Sequence, residues 1–204
     1  TSTTEIYTLS LHDALPICTQ DDSLYVNGLG IRRVVLWNDA NGSSFVLSAL
    51  PQLADRQLVV EDCDVIYSRA KWHHWSGGRV FNMRGEGKGS AGSGVIFRNI
   101  NIEDPRPTLQ QFFICMTMPE PYSKHAEKRG AGDLSGILFQ NIAIAAPSVL
   151  GEPQILWGQP DARIRNLTFE NLTLAGTPVH APAFFKTNEF VNGLLFSPGA
   201  VPSP

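Results

Sequence analysis

Charge is scarce in this 204-residue chain. Only 17% of its residues are charged and the net charge is −3. It has no basic stripe for a nucleic-acid backbone or an anionic membrane surface. Cysteine is scarce too: Cys18, Cys63 and Cys115 stand apart and make no C-x-x-C pair. That spacing indicates neither a disulfide framework nor a thiolate zinc site. Cys63 and Cys115 sit among apolar residues and read as small core hydrophobes. No apolar run reaches the length of a membrane-spanning helix.

Turn residues are plentiful instead. Eighteen glycines and fourteen prolines separate short apolar runs, as in a chain of many short strands. The length suits one sizeable domain. The opening TSTTEIYTLSLHDALPI lacks the basic and apolar regions of a signal peptide. It closely resembles sequencing-adapter DNA translated as protein. Residues 1–17 are therefore set apart, with His12 and Asp13, and the domain is expected over 18–204. The natural chain is then expected to continue upstream, with a secretion signal lying outside this fragment.

Four segments share a pattern: LVVEDCDVI (58–66), GVIFRNINI (94–102), GILFQNIAI (136–144) and NLTFENLTL (166–174). Each has a large apolar residue, Asn or Asp two positions on, then apolar residues one and three beyond. The Asn or Asp positions are 62, 99, 141 and 171, with gaps of 37, 42 and 30. In a straight strand, residues an odd number apart face opposite sides. Phe97 and Ile100 can share one interior only if the chain bends between them. Asn99 sits at that place, and Asn tolerates the left-handed backbone such a bend needs. Asn38 in VVLWNDANG reads as a weaker earlier copy, with Asp39 in an apolar slot.

Further short strands are expected at 44–49, 79–84, 111–118 and 153–158, with a last apolar strand near the C terminus. Loops are expected at 85–93 and 119–133. No amphipathic helix lies between the copies. Irregular repeats of this kind predict an all-β, right-handed, single-stranded parallel β-helix, with its Asn corners aligned as a ladder. A β-sandwich also has many short strands, but it predicts hairpins and leaves the repeated mid-strand Asn unexplained.

On that fold, TQDDSLYV (19–26) resembles the Q-D-D segment of the polygalacturonase family of glycoside hydrolases, within the pectin-lyase-like superfamily. NDANGSSFVLSA (38–49) is similar to the part that follows in dextranase-like relatives. The resemblance implies hydrolysis with inversion, with carboxyls about 6.5–9.5 Å apart around a water. It implies a catalytic pair, Asp21 and Asp22. Strand parity sets Asp22 inward with Leu24 and Val26, and Asp21 outward with Ser23 and Tyr25. Asp21 is the expected general acid, kept protonated by the neighbouring carboxylate, and Asp22 the water-activating partner.

The departures are informative. The family's third Asp would lie in a coil upstream of this chain. Its Gly-His-Gly is matched by Ala40-Asn41-Gly42, so Asn41 stands in place of His. Its Arg-Ile-Lys is matched by Gly78-Arg79-Val80-Phe81, without Lys. These losses point away from galacturonate and towards a neutral or differently charged glycan.

Asp39 is a further carboxylate near the pair, or a turn residue. In KWHHWSGGR (71–79), Trp72 and Trp75 are candidate sugar platforms, with His73, His74 and Arg79 as hydroxyl donors. The alternative is that these tryptophans cap the core. Two adjacent histidines make no metal site, and no cofactor is indicated. Arg84 has outward parity and reads as a solvated charge. Trp37 and Trp157 read as core or edge packing. Asn41, Asn166 and Asn171 match glycosylation acceptor motifs, although Asn171 is better used as a corner.

The expected activity is a secreted or periplasmic glycoside hydrolase, a monomer acting on a polysaccharide or oligosaccharide. Nucleic acid and membrane are not expected partners. A polysaccharide lyase on the same fold and a non-catalytic glycan-binding β-helix are the alternatives. The catalytic set is incomplete in this fragment, so the chain as written is expected to be poorly soluble and to have little or no activity.

Overall fold

The computed structural model describes residues 17–26, 30–39, 42–48, 57–68, 80–84, 94–103, 113–116, 132–145, 154–180 and 184–198. It is built almost wholly of parallel β-structure. One sheet holds β1 (Ile17–Thr19), β3 (Ile31–Arg32), β4 (Val35–Asn38), β6 (Leu58–Ser68), β8 (Val95–Ile102), β10 (Leu134–Ser135), β11 (Leu138–Ile144), β13 (Ile164–Leu174), β14 (Thr177–Pro178) and β16 (Val191–Ser197). The other holds β2 (Leu24–Tyr25), β5 (Phe45–Ser48), β7 (Phe81–Arg84), β9 (Phe113–Met116), β12 (Gln154–Trp157) and β15 (Phe185–Lys186).

The chain alternates between the sheets as it advances, and each strand pairs with its counterpart one repeat away. Between strands the pairing is parallel, except where β14 folds back on β13. This is compatible with a parallel β-helix. Among the described strands, β13–β14 is the single hairpin, whereas a sandwich would pair its strands so throughout. The expected strands at 44–49, 79–84, 111–118 and 153–158 are β5, β7, β9 and β12. The two expected long loops lie outside the described residues, apart from the last two positions of the second.

The bent corners are borne out. Asp62, Asn99, Asn141 and Asn171 have φ of 55°, 53°, 54° and 54°. Phe97 and Ile100, either side of such a corner, are both buried. Asn99 Nδ2 donates to Asp62 Oδ1 (2.8 Å), Asn141 Nδ2 to Asn99 Oδ1 (2.9 Å) and Asn171 Nδ2 to Asn141 Oδ1 (3.0 Å).

One reading is corrected. The earlier corner is not Asn38 but Arg33, with φ 52°. Ile31 pairs with Val60 and Leu36 with Val65, so Arg33 stands beside Asp62. Ile31, Val34 and Leu36 repeat the apolar spacing of the other copies without the amide. A second corner lies five residues before the first: Gly94, Gly136, Asn166 and Gly193 also have positive φ and stand side by side. Asn166, read as a glycosylation motif, is exposed there, and its Oδ1 lies 2.5 Å from where a Cβ on Gly193 would sit.

The buried apolar side chains of the two sheets form a single continuous core. Phe97, Phe139, Phe169 and Phe196 stack in register, with ring centroids 5.2, 5.0 and 5.0 Å apart. Phe45 and Phe81 stack at 5.5 Å from the other sheet, and Phe81 meets Phe97 edge-on. Offset and edge-on pairs of this kind add to the burial of the rings themselves. Cys63 lies in this core as expected, and burial pushes its thiol up to about 11. The Cys115 side chain lies outside the described residues.

Candidate active site

The Asp21–Asp22 step lies on the connection from β1 to β2, where the chain crosses from one sheet to the other. A crossing of this kind needs a tight turn, and Asp supplies side-chain acceptors for the exposed amides. Asp21 Oδ1 accepts the Asp22 amide hydrogen at 2.8 Å. Asp22 Oδ1 accepts from the Ser43 amide at 2.7 Å, and Asp22 Oδ2 from the Tyr25 hydroxyl at 2.8 Å. Asp21 is exposed and Asp22 half-buried.

The next repeat holds this turn from behind. Gly42 has φ 75°, and a Cβ there would lie 2.8 Å from Asp22 Cα and closer still to Asp22 N and Asp21 C. Only glycine lets the two backbones approach in this way. The Ser43 amide follows directly and reaches Asp22. Asn38 is fully buried, and its Nδ2 donates to Asp21 O at 2.9 Å, with the Thr19 and Ser23 hydroxyls at 3.2 and 3.3 Å. Asn38 is thus a clamp under the turn. Its Oδ1 is buried and has no hydrogen-bond partner among the described residues.

The inward parity expected for Asp22 is not what the structure shows. Leu24, Tyr25 and Val26 alternate as anticipated, with Tyr25 outward. Asp22 precedes the strand, so strand alternation does not extend to it. Its carboxylate meets Tyr25 on the outer side. Asp39 is joined to the same region: its amide donates to Thr19 O at 3.1 Å, and its Oδ1 accepts from the Tyr67 hydroxyl at 3.3 Å.

Of the two alternatives for Trp37, core or edge packing, the structure excludes the first. The ring is 40% exposed on the outer face of β4 and stacks on Tyr67, with centroids 4.5 Å apart and planes 15° from parallel. It is not core packing. Trp157 is half-buried, as edge packing requires.

Asn41 and the whole run 71–79, with Trp72, His73, His74, Trp75 and Arg79, lie outside the described residues, as does the Arg84 side chain. The structure therefore brings together Asp21, Asp22 and Asp39 from the expected set. Tyr25, Trp37, Asn38, Gly42 and Ser43 join them and were not expected as site residues. For Gly42 a signal was present, since N-G is a strong turn dipeptide. For Tyr25 the signal was an aromatic at an outward position three residues after Asp22.

No family model, curated protein or solved structure matches the chain. The site is accordingly described by its own geometry: solvent-facing carboxylates on a turn fixed by the neighbouring repeat, with exposed aromatic rings beside it. Carboxylates so placed can exchange protons with a polar substrate.

Proposed function

We propose that this chain is part of a carbohydrate-active enzyme, a glycoside hydrolase that inverts the anomeric centre. The Asp21–Asp22 turn carries the reading. A functional carboxylate pair has to be rigid and open to substrate at once. Gly42, Ser43 and Asn38 supply the rigidity, and the outward position of Asp21 supplies access. Asp21 protonates the leaving oxygen. Asp22 accepts on both oxygens and activates the water. The fold is a right-handed, pectin-lyase-like parallel β-helix, supported by the alternation of parallel strands between two sheets. The enzyme acts outside the cytoplasm, secreted or periplasmic, a reading that rests on the resemblance of the QDD segment alone.

The test is made on the complete gene product, obtained by reading the native locus upstream of Cys18. It is assayed for reducing ends on neutral glucans and on polygalacturonate, with the anomer of the first product read by NMR. Asp21→Asn is expected to lower kcat by roughly a thousandfold, the scale of a lost general acid. A retained anomer would rule out inversion, and an unsaturated product would show a lyase instead.

One observation favours a second reading. Both Asp22 oxygens are already engaged, by Ser43 and Tyr25, as in a purely structural turn. A non-catalytic glycan-binding protein would keep its binding and its biological effect in Asp21→Asn. Turnover lost with binding kept would exclude it.

A further inference from the structure

The second corner, at Gly94, Gly136, Asn166 and Gly193, has a chemical consequence in its last copy. Gly193 has φ 68° and passes close to Asn166: a Cβ there would lie 2.5 Å from Asn166 Oδ1 and 3.0 Å from Asn166 N. Conformation and space both demand glycine at this position. The residue before it is Asn192, whereas Ser93, Ser135 and Arg165 precede the other three corners. The corner therefore creates an Asn-Gly step here and not at the other three.

Such a step can react with itself, because glycine has no Cβ to hinder the approach of its nitrogen. A bond forms from Gly193 N to Asn192 Cγ. The Cγ–Nδ2 bond breaks, and the amide nitrogen leaves as ammonia with the proton of the Gly193 amide. Water then opens the five-membered imide at either carbonyl. One product has Asp at position 192. The other is the isoaspartyl form, whose main chain runs through Cγ and is longer by one atom.

The strand leaves this nitrogen on its open side. β16 pairs with β13 alone among the described residues. Main-chain groups of successive strand residues point alternately to the two sides of a strand. Ile164 N donates to Phe190 O, so Phe190 faces β13. Val191 N turns instead to Asn188 O. By this alternation Asn192 faces β13 and Gly193 faces away. Both residues are exposed, so water reaches them. Ring closure also requires Asn192 to leave its extended conformation. An outermost strand, held by one neighbour, opens locally more readily than an inner one.

The two products differ in what they do to β16. Arg165 stands beside Asn192 in register, half-exposed and 3.3 Å from Asp133 Oδ2. A carboxylate at position 192 lies next to this cation, so the Asp product is tolerated. The isoaspartyl product inserts an atom just before Leu194 and Phe196, which are paired with Leu167 and Phe169. That shift withdraws both side chains from the end of the core.

We propose that Asn192-Gly193 is a site of spontaneous deamidation, and that its isoaspartyl product releases β16 from the stack. The site is independent of the hydrolase reading.

The test is incubation of the complete gene product at neutral and mildly alkaline pH, followed by tryptic digestion and mass spectrometry. Cleavage after Lys186 isolates the segment that begins at Thr187. Conversion of Asn192 to acid is expected, faster at the higher pH because the attacking nitrogen must lose its proton. The Asn166-Leu and Asn171-Leu steps should remain amides, and Asn192→Gln should abolish the signal. Amide exchange in 191–197 should lose protection in the isoaspartyl fraction, while 138–144 keeps its own. Asn192→Asp, which carries the charge without the extra atom, should exchange as the unmodified protein does. Asn192 that stays intact in the folded protein, but converts when the same chain is unfolded in urea, would overturn the site. Native protection of 191–197 in the isoaspartyl fraction would overturn the release of β16.

Discussion

At the scale of single residues, Gly42 shows how a turn becomes a site. Its backbone passes so close under Asp21 and Asp22 that a methyl group has no room. Gly176 provides a control within the same protein. Its φ of 73° matches the 75° of Gly42, yet nothing lies within 4 Å of its missing Cβ. Gly176→Ala should therefore cost only the left-handed penalty, about 1 kcal/mol. Gly42→Ala should cost about 3 kcal/mol or more, because backbone must also move. Urea unfolding of the two variants reads the difference. Equal costs would mean that the close approach at Gly42 does not exist in solution. The Asp21–Asp22 pair was legible in the sequence as a motif, but Gly42 and Asn38 were not. Their roles depend on which residue of the next repeat lies beneath the pair, and one repeat read alone does not show this.

At the scale of elements, the Asn ladder has a direction. Asp62, when ionised, can only accept, so Asn99 must present its Nδ2 to it, and each later amide is oriented in turn. Asp62→Asn keeps the accepting oxygen and should change stability by less than about 0.5 kcal/mol. Asn141→Ala loses a donor and an acceptor and places Ala at φ 54°. It should cost about 2–3 kcal/mol. Asn141→Gly removes the backbone strain and should cost about 1 kcal/mol less than Ala. Thermal unfolding of the three variants tests the order. Asp62→Asn as damaging as Asn141→Ala would break the directional account.

The ladder also shows how far periodicity can be read. The strand–corner–strand segments were legible because apolar residues three apart demand a bend. The corner at Arg33 was missed because the amide, not the apolar spacing, was used as the marker. The second corner was missed because Gly94, Gly136, Asn166 and Gly193 share a conformation and not a side chain. Charges outside the core follow the same register. Glu61 is buried between Arg32 (2.6 Å) and Arg98, one repeat on either side. Such a row is visible only once the repeats are aligned. Both arginines reach solvent, so screening leaves each pair modest.

At the scale of the whole molecule, stability is expected to be distributed along the stack and not gathered at one centre. Each repeat touches only its neighbours, so a repeat with partners on both sides is held more firmly than one at an edge. β8, β11 and β13 lie inside the larger sheet, whereas β1 and β2 each pair on one side among the described residues. The phenylalanine stack follows the same rule: Phe139 has Phe97 and Phe169 on its two faces, and Phe196 lies at the end and is half-buried. Amide hydrogen exchange should therefore be slowest in 95–102, 138–144 and 164–174, and fastest in 17–19 and 24–25. Phe139→Leu should raise exchange in β8, β11 and β13 together and cost about 1–3 kcal/mol. Phe196→Leu should cost about half as much and leave β8 unchanged. Uniform protection along the chain, or equal effects of the two substitutions, would indicate one globally cooperative core. That outcome would also bear on the site. The Asp21–Asp22 turn joins β1 to β2, so exchange there tests how firmly Gly42, Ser43 and Asn38 hold it. If protection there rises when neutral oligosaccharide is added and β13 is unaffected, binding energy is being used to order the turn itself.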